Sequence, residues 1–256
     1  MRVSGFDWGG FVRAALNAAG AAKNEEHKLE ATHSIGRSED DAQHGLNLPK
    51  DKDTFDQNAI SEVDLQRAHL YGLLARLLGE PLSDETLEAV RALEGEYAVA
   101  ETELDKALAS LGALAGHTVR TVAKEEYSSL FYGMGSGGEL NPYASFYLTG
   151  FIYEKPLANL RRDMAALGIA ASGTSSEPED HIAYLCEIMH GLITGGFGEA
   201  ADLTTQKNFY KTHMAPWVGQ FFADLEGAES AVLYMPVGTI GRLFMAIEAD
   251  AFEIAA

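Results

Sequence analysis

Cysteine is nearly absent: Cys186 is the only one in 256 residues. No intramolecular disulfide can form and no four-cysteine zinc site can exist, which suits a reducing compartment. Basic residues are also scarce, with 19 Lys and Arg against 38 Asp and Glu, a formal net charge of −19. Such a field repels phosphate backbones and attracts cations. Nucleic acid is therefore not an expected partner and basic peptides are, although an acidic surface also serves solubility alone. Long apolar runs are missing too. Charges or glycines cut every hydrophobic segment short of the roughly 18–20 residues a membrane span needs. Asp7, Arg13 and Asn17 interrupt the N-terminal stretch before a secretory-signal core can form. The expectation is a soluble, cytoplasmic protein without stable membrane insertion.

Strand patterns are lacking as well. No segment sustains an apolar–polar alternation, and none has the Val and Ile enrichment of a parallel strand. Several hallmarks of catalysis are absent: there is no G-x-S-x-G elbow, and neither Ser145 nor Cys186 has a His or Asp partner at motif spacing. Cys186 and His190 lie at i and i+4, but without H-E-x-x-H or further ligands at suitable spacing they define no metal site; His27, His33 and His44 are scattered. No cofactor and no metal are expected.

What is present is helical periodicity, which predicts an all-α chain. Residues 1–61 read as a polar extension: a short amphipathic helix through Phe11, Val12, Ala15, Leu16 and Ala19, then a charged, amide-rich stretch without apolar periodicity. From residue 62 to 256 the pattern is that of a single helical domain. Leu70, Leu73, Leu74, Leu77 and Leu78 make a buried stripe stopped by Gly79 and Pro81. Ser83 caps a second helix with Leu87, Val90 and Leu93 inward. A third runs through Leu104, Ala107, Leu108, Leu111 and Ala115. A fourth carries Val119, Ala123, Tyr127, Leu130 and Phe131 on one face and ends at Gly133. Pro156 opens another with Leu157, Leu160, Met164 and Leu167 inward, closed by Gly168, before a flexible hinge, "ASGTSS". Next come a helix with Ile182, Leu185, Cys186, Met189 and Ile193, and a series Phe209, His213, Trp217, Phe221 broken or restarted at Pro216. The last helix uses Ile240, Leu243, Phe244 and Ile247.

Two strings attract attention. "FYGMGSGGELNPYASFY", residues 131–147, is glycine-rich, yet a helix precedes it where a dinucleotide fingerprint needs a strand. It also lacks the Lys and Ser/Thr of a P-loop, and Glu139 follows Gly138. It reads as a bend between helices. In "SSEPEDHIAYLCEIMHGLI" Pro178 suits the first helical position, which makes Glu177 the cap and places Asp180 and His181 at N3 and N4. Acids at a helix start are stabilised by the dipole and free N–H groups, so ordinary capping accounts for them. Held beside an apolar cleft, the same carboxylates also suit guanidinium groups followed by a hydrophobic segment.

Taken in order, Tyr127-x-x-Leu130-Phe131, the glycine loop with Pro142, Ser145 and Tyr147, Glu177-Pro178-x-Asp180-His181, and Phe209, His213 and Trp217 resemble the TorD/DmsD/NarJ family of redox enzyme maturation chaperones. The resemblance covers residue 62 onward and leaves the extension out. It implies a helical protein without catalytic activity that binds the twin-arginine leader, or the apo form, of a molybdoenzyme catalytic subunit until its cofactor is inserted, and so delays export. It implies one binding surface at Tyr127, Leu130, Phe131, Pro142, Ser145 and Tyr147, and another at Glu177, Pro178, Asp180 and His181. Tyr127 and Phe131 fit core packing equally well. Within the family the likeness leans toward the branch serving formate dehydrogenases, beside those for dimethyl sulfoxide, trimethylamine oxide and nitrate reductases. Some members are linked to weak guanine-nucleotide binding, which keeps a nucleotide-binding or hydrolysing protein as the alternative, along with a stable helical subunit of a redox complex.

Overall fold

The structure, a computed structural model, describes residues 60–133, 137–170 and 177–254. The expected N-terminal helix, the polar extension up to residue 59 and the hinge at 171–176 lie outside them. The described residues form α1 (Glu62–Gly79), α2 (Asp84–Arg91), α3 (Leu93–Glu96), α4 (Glu103–Gly116), α5 (Arg120–Phe131), α6 (Ala144–Thr149), α7 (Lys155–Ala166) and α8 (Ile182–Thr194). Then follow α9 (Leu203–Phe209), a π-helical turn (Tyr210–Met214), α10 (Val218–Glu226) and α11 (Met235–Ile254). The class is all-α. The described residues hold no strand, only one antiparallel bridge between Tyr143 and His181.

Helix starts follow local chemistry. Ser61, Ser83, Thr102 and Asp202 each accept a bond from a backbone N–H in the first turn of α1, α2, α4 and α9. Thr102 and Asp105 complete a reciprocal capping box. Glu126, projecting from α5, accepts from the N–H groups of Val232, Leu233 and Tyr234 and so fixes the turn that feeds α11.

α8 is the central element. Ile182, Leu185, Cys186, Ile188, Met189, Leu192 and Ile193 are all buried, so apolar residues cover most of its circumference. α1 packs along it with Ala68, Tyr71, Leu74, Ala75 and Leu78, and α11 packs on α10 and α4. Cys186 is fully buried, and desolvation pushes its thiol pKa well up, consistent with a small hydrophobe rather than a nucleophile.

Three positions depart from the expected stripes. Val119 is the N-cap of α5 and exposed, because the chain is still extended there. Leu167 follows the last residue of α7 and is exposed. On α11 Ile247 faces out while Glu248 is buried. Arg67 of α1 explains that inversion: it binds Glu248 through two nitrogens at 2.6 and 2.8 Å, and the Tyr71 hydroxyl donates to the same carboxylate at 3.0 Å.

Candidate functional site

The end of α5 is core. Leu130 is fully buried, and the buried Tyr127 donates its hydroxyl to the Leu78 carbonyl at 3.0 Å. The Tyr127 ring packs on those of Phe131 and Tyr234, with centroids 4.8 and 5.9 Å apart. After it the chain folds back on its own helix: Glu139 N–H donates to Ser129 and Leu140 N–H to Leu130, at 3.1 and 2.8 Å. Glycine is required here. A Cβ on Gly138 would stand 2.4 Å from the Phe131 carbonyl carbon, and Gly133, at φ +57°, has Gly137 oxygen where its Cβ would go. The Glu139 carboxylate accepts from the backbone N–H groups of Glu229 and Ser230. These two glycines serve close backbone packing.

The two strings singled out in the sequence meet directly. Ile182 N–H donates to the Pro142 carbonyl at 2.8 Å, and Ala144 N–H to the Asp180 carbonyl at 3.0 Å. The Asp180 carboxylate accepts from both the backbone N–H and the hydroxyl of Ser145, at 2.8 and 2.5 Å, and so caps α6 from across the chain. Pro142, Ser145, Pro178, Asp180 and His181 are all buried. The second carboxylate oxygen of Asp180, Oδ1, is buried without a hydrogen-bond partner.

α8 does not begin as the sequence suggested. Its N-cap is His181, not Glu177: the imidazole Nδ1 accepts from Ala183 N–H at 3.1 Å, and Pro178–Asp180 form a turn closed by His181 N–H on the Pro178 carbonyl. Pairing with Tyr143 holds residue 181 extended and shifts the start of the helix. Burial pushes the His181 pKa down to about 3, so the ring is neutral, with Nδ1 an acceptor and Nε2 the protonated nitrogen. Freed from the helix, Glu177 is half-buried and accepts from the Tyr143 hydroxyl, while Glu179 pairs with Arg161 of α7 at 2.6 Å.

Ser145, Asp180 and His181 are neighbours but not a catalytic triad. The serine proton points to the carboxylate, and the imidazole is occupied by a backbone amide. Among the described residues no group of three or more His, Cys, Asp or Glu could hold a metal. The described residues also contain no helix long and apolar enough to cross a membrane.

Tyr147 lies on the other side of α6, donating to Asp224 at 2.8 Å and packing on Trp217 with centroids 5.3 Å apart. This connects the corner to the Phe209, His213, Trp217 series: Trp217 Nε1 donates to the His213 carbonyl at 2.9 Å, and His213 Nε2 bonds Asp163 at 3.0 Å. Sequence reasoning missed Tyr143, whose hydroxyl organises Glu177, and the exposed side chains Phe146, Leu148, Phe151, Ile152 and Tyr153 that follow. Only their density in "SFYLTGFIYE" could have marked them, and aromatic and aliphatic density alone does not separate surface from core.

The corner thus presents a half-buried carboxylate and tyrosines beside exposed apolar side chains, chemistry for binding a cationic, partly apolar chain. The family model described as nitrate reductase delta subunit matches residues 98–223, which include the whole corner. The chaperone protein TorD of Aliivibrio fischeri is 24% identical over 181 residues, covering 64% of this chain and 84% of that protein. TorD of Actinobacillus succinogenes is 27% identical over 173 residues, with 64% and 86% covered. TorD of Escherichia coli is 26% identical over 202 residues, with 72% and 94% covered. A crystal structure of an Archaeoglobus fulgidus chain assigned to redox enzyme maturation superposes with a TM-score of 0.46 at 21% identity, over 70% of this chain and 93% of that one.

Proposed function

We propose that the chain is a member of the TorD/DmsD/NarJ family of redox enzyme maturation chaperones, a reading supported by the matched family model and the TorD relatives, and that it binds the twin-arginine leader of a molybdoenzyme catalytic subunit, or the unfinished subunit itself. It holds this client in the cytoplasm until the cofactor is in place, and export waits. The protein acts by binding and is not an enzyme.

One observation carries the reading. Two strings some thirty-five residues apart, Pro142–Ser145 and Glu177–Ile182, are bonded into one corner by the Pro142–Ile182, Ala144–Asp180 and Ser145–Asp180 contacts. That corner presents Glu177 and Tyr143 at the surface of a chain whose net charge is −19. A guanidinium suits such a place, since Glu177 supplies a carboxylate and Tyr143 an aromatic face. Within the corner the roles divide: Glu177 meets the arginine, and the buried Asp180, His181, Ser145, Pro142 and Pro178 hold it in position. Tyr127, Leu130, Phe131 and Tyr147 support the corner from the core side. Nucleotide turnover draws no support from the described part of the glycine run, where Gly133 and Gly138 serve close backbone packing and the carboxylate of Glu139 accepts from backbone N–H groups.

Calorimetry tests this with synthetic twin-arginine leaders taken from several molybdoenzyme catalytic subunits. The natural chain is expected to bind, with affinity falling as salt rises, and Glu177→Gln to weaken binding roughly tenfold. An unchanged affinity in Glu177→Gln, Asp180→Ala and His181→Ala alike removes the corner from the site. Client identity, with a formate dehydrogenase as the first candidate, is read by which leader binds tightest.

A further inference from the structure

Large apolar side chains exposed singly are ordinary on a protein surface, but several in a row are not. Along the α6–α7 corner they stand in a row: Phe146 is 37% exposed, Leu148 44%, Phe151 70%, Ile152 44% and Tyr153 64%. The backbone keeps them out. Gly150 ends α6 in the left-handed region at φ +85°, and two residues before α7 begins Tyr153 takes φ +64°, a conformation tyrosine adopts only at a cost.

This strip runs into the acidic corner. Tyr143 immediately precedes α6 and holds Glu177 through its hydroxyl, and Glu154 follows Tyr153 at the start of α7, whose Arg161 pairs with Glu179. Three of the side chains that the resemblance places on a binding surface are engaged elsewhere: Leu130 is fully buried, Phe131 packs on Tyr127 and Tyr234, and Tyr147 is bound to Asp224 and Trp217.

We infer that the strip from Phe146 to Tyr153 is the docking surface for the apolar segment of a basic client peptide, the segment that follows a cationic residue held at Glu177. The inference rests on the proposed function and adds where the apolar part goes. Charge complementarity selects this occupant. Exposed Glu154 and half-buried Glu177 flank the tyrosine end of the strip on a chain of net charge −19. A second copy docked there would bring the same acids and the same net charge against its twin, whereas a basic peptide neutralises them.

Two synthetic peptides test it, one with two arginines followed by ten leucine and alanine residues, the other with serine in place of every leucine. Calorimetry on the natural chain is expected to show the leucine peptide binding at least tenfold tighter. The Phe151→Ser/Ile152→Ser variant is expected to lose that tenfold and keep the affinity of the serine peptide. Tyr153→Asn is a second variant that tolerates the left-handed backbone, and circular dichroism reports whether each is folded. Unchanged affinity of the variants for the leucine peptide overturns the docking surface and leaves the proposed function standing. Failure of the natural chain to bind either peptide overturns both. A natural chain that dimerises in sedimentation, with variants that do not and whose peptide affinity is unchanged, assigns the strip to a second copy and overturns the inference.

Discussion

Asp180 holds Ser145 by two hydrogen bonds to one carboxylate oxygen, from the backbone N–H at 2.8 Å and from the hydroxyl at 2.5 Å, with both residues buried. The pair caps α6 and joins the turn before α8 to the chain that leads out of the glycine loop. Its role is structural before it is recognition.

Asp180→Ala should therefore lower the unfolding free energy by roughly 2–4 kcal/mol, because a charged acceptor is lost and two buried donors of Ser145 are left without one. Asp180→Asn keeps an acceptor and should lose less. Urea titration measures this, and a shift in midpoint with unchanged slope identifies lost stability rather than a changed unfolding mechanism. A stability equal to that of the natural chain would show that the bonds contribute nothing.

Acid should weaken the fold through His181. Burial lowers its pKa from 6.5 to about 3, so the unfolded chain binds the proton more readily than the folded one. Stability from this group is present above pH 6.5 and is lost as pH falls from there toward 3. Between pH 7 and pH 5 the loss is about 2 kcal/mol by linkage. His69, His190 and His213 are shifted downward as well, mainly by burial, and add in the same direction. His181→Asn retains a capping oxygen but no titrating ring, so its urea midpoint should be lower at pH 7 yet vary less between pH 7 and 5. An equally steep pH dependence in the variant would assign the effect to other groups.

The buried ion pair between α1 and α11 predicts a large, non-additive effect. Glu248→Ala removes the carboxylate that binds Arg67 twice and accepts from Tyr71, leaving a half-buried guanidinium without its main partner. A loss of about 3–5 kcal/mol is expected. Combining it with Arg67→Met should cost much less than the sum of the single changes, since the pair is removed as a unit. Thermal and urea unfolding of the four proteins in the cycle would show additivity if the pair were unimportant.

Much of this architecture is legible from local pattern. Ser83 before two acids and the leucine stripe before Gly79 specify caps and faces within one helix, where sequence neighbours are spatial neighbours. What sequence could not supply depends on residues far along the chain. Ile247 reads as the inward residue of its turn until Arg67, 181 positions before Glu248, is seen to hold Glu248 inside instead. Pro178 reads as the first residue of a helix until Tyr143 is found paired with His181, which keeps the chain extended past it. The motif strings at 142–147 and 177–181 are legible as a set, but which members face solvent is not: Asp180 and His181, which the resemblance places on a binding surface, are buried, and the exposed run Phe151 to Tyr153 carries no motif that marks it.

Tyr153 sets stability against recognition at one residue. A non-glycine residue in the left-handed region costs roughly 1–2 kcal/mol, less for asparagine, whose short polar side chain tolerates it. The Tyr153 ring is mostly exposed, so little burial is lost when it is removed. Tyr153→Asn should therefore raise the unfolding free energy by about 1 kcal/mol and, at the same time, weaken binding of an apolar basic peptide. Chemical denaturation and calorimetry on the same preparation measure both. A variant that gains stability without losing affinity would mean that the strained corner serves neither the ligand nor the fold, whereas loss of both would make Tyr153 a packing residue whose contacts outweigh its backbone strain.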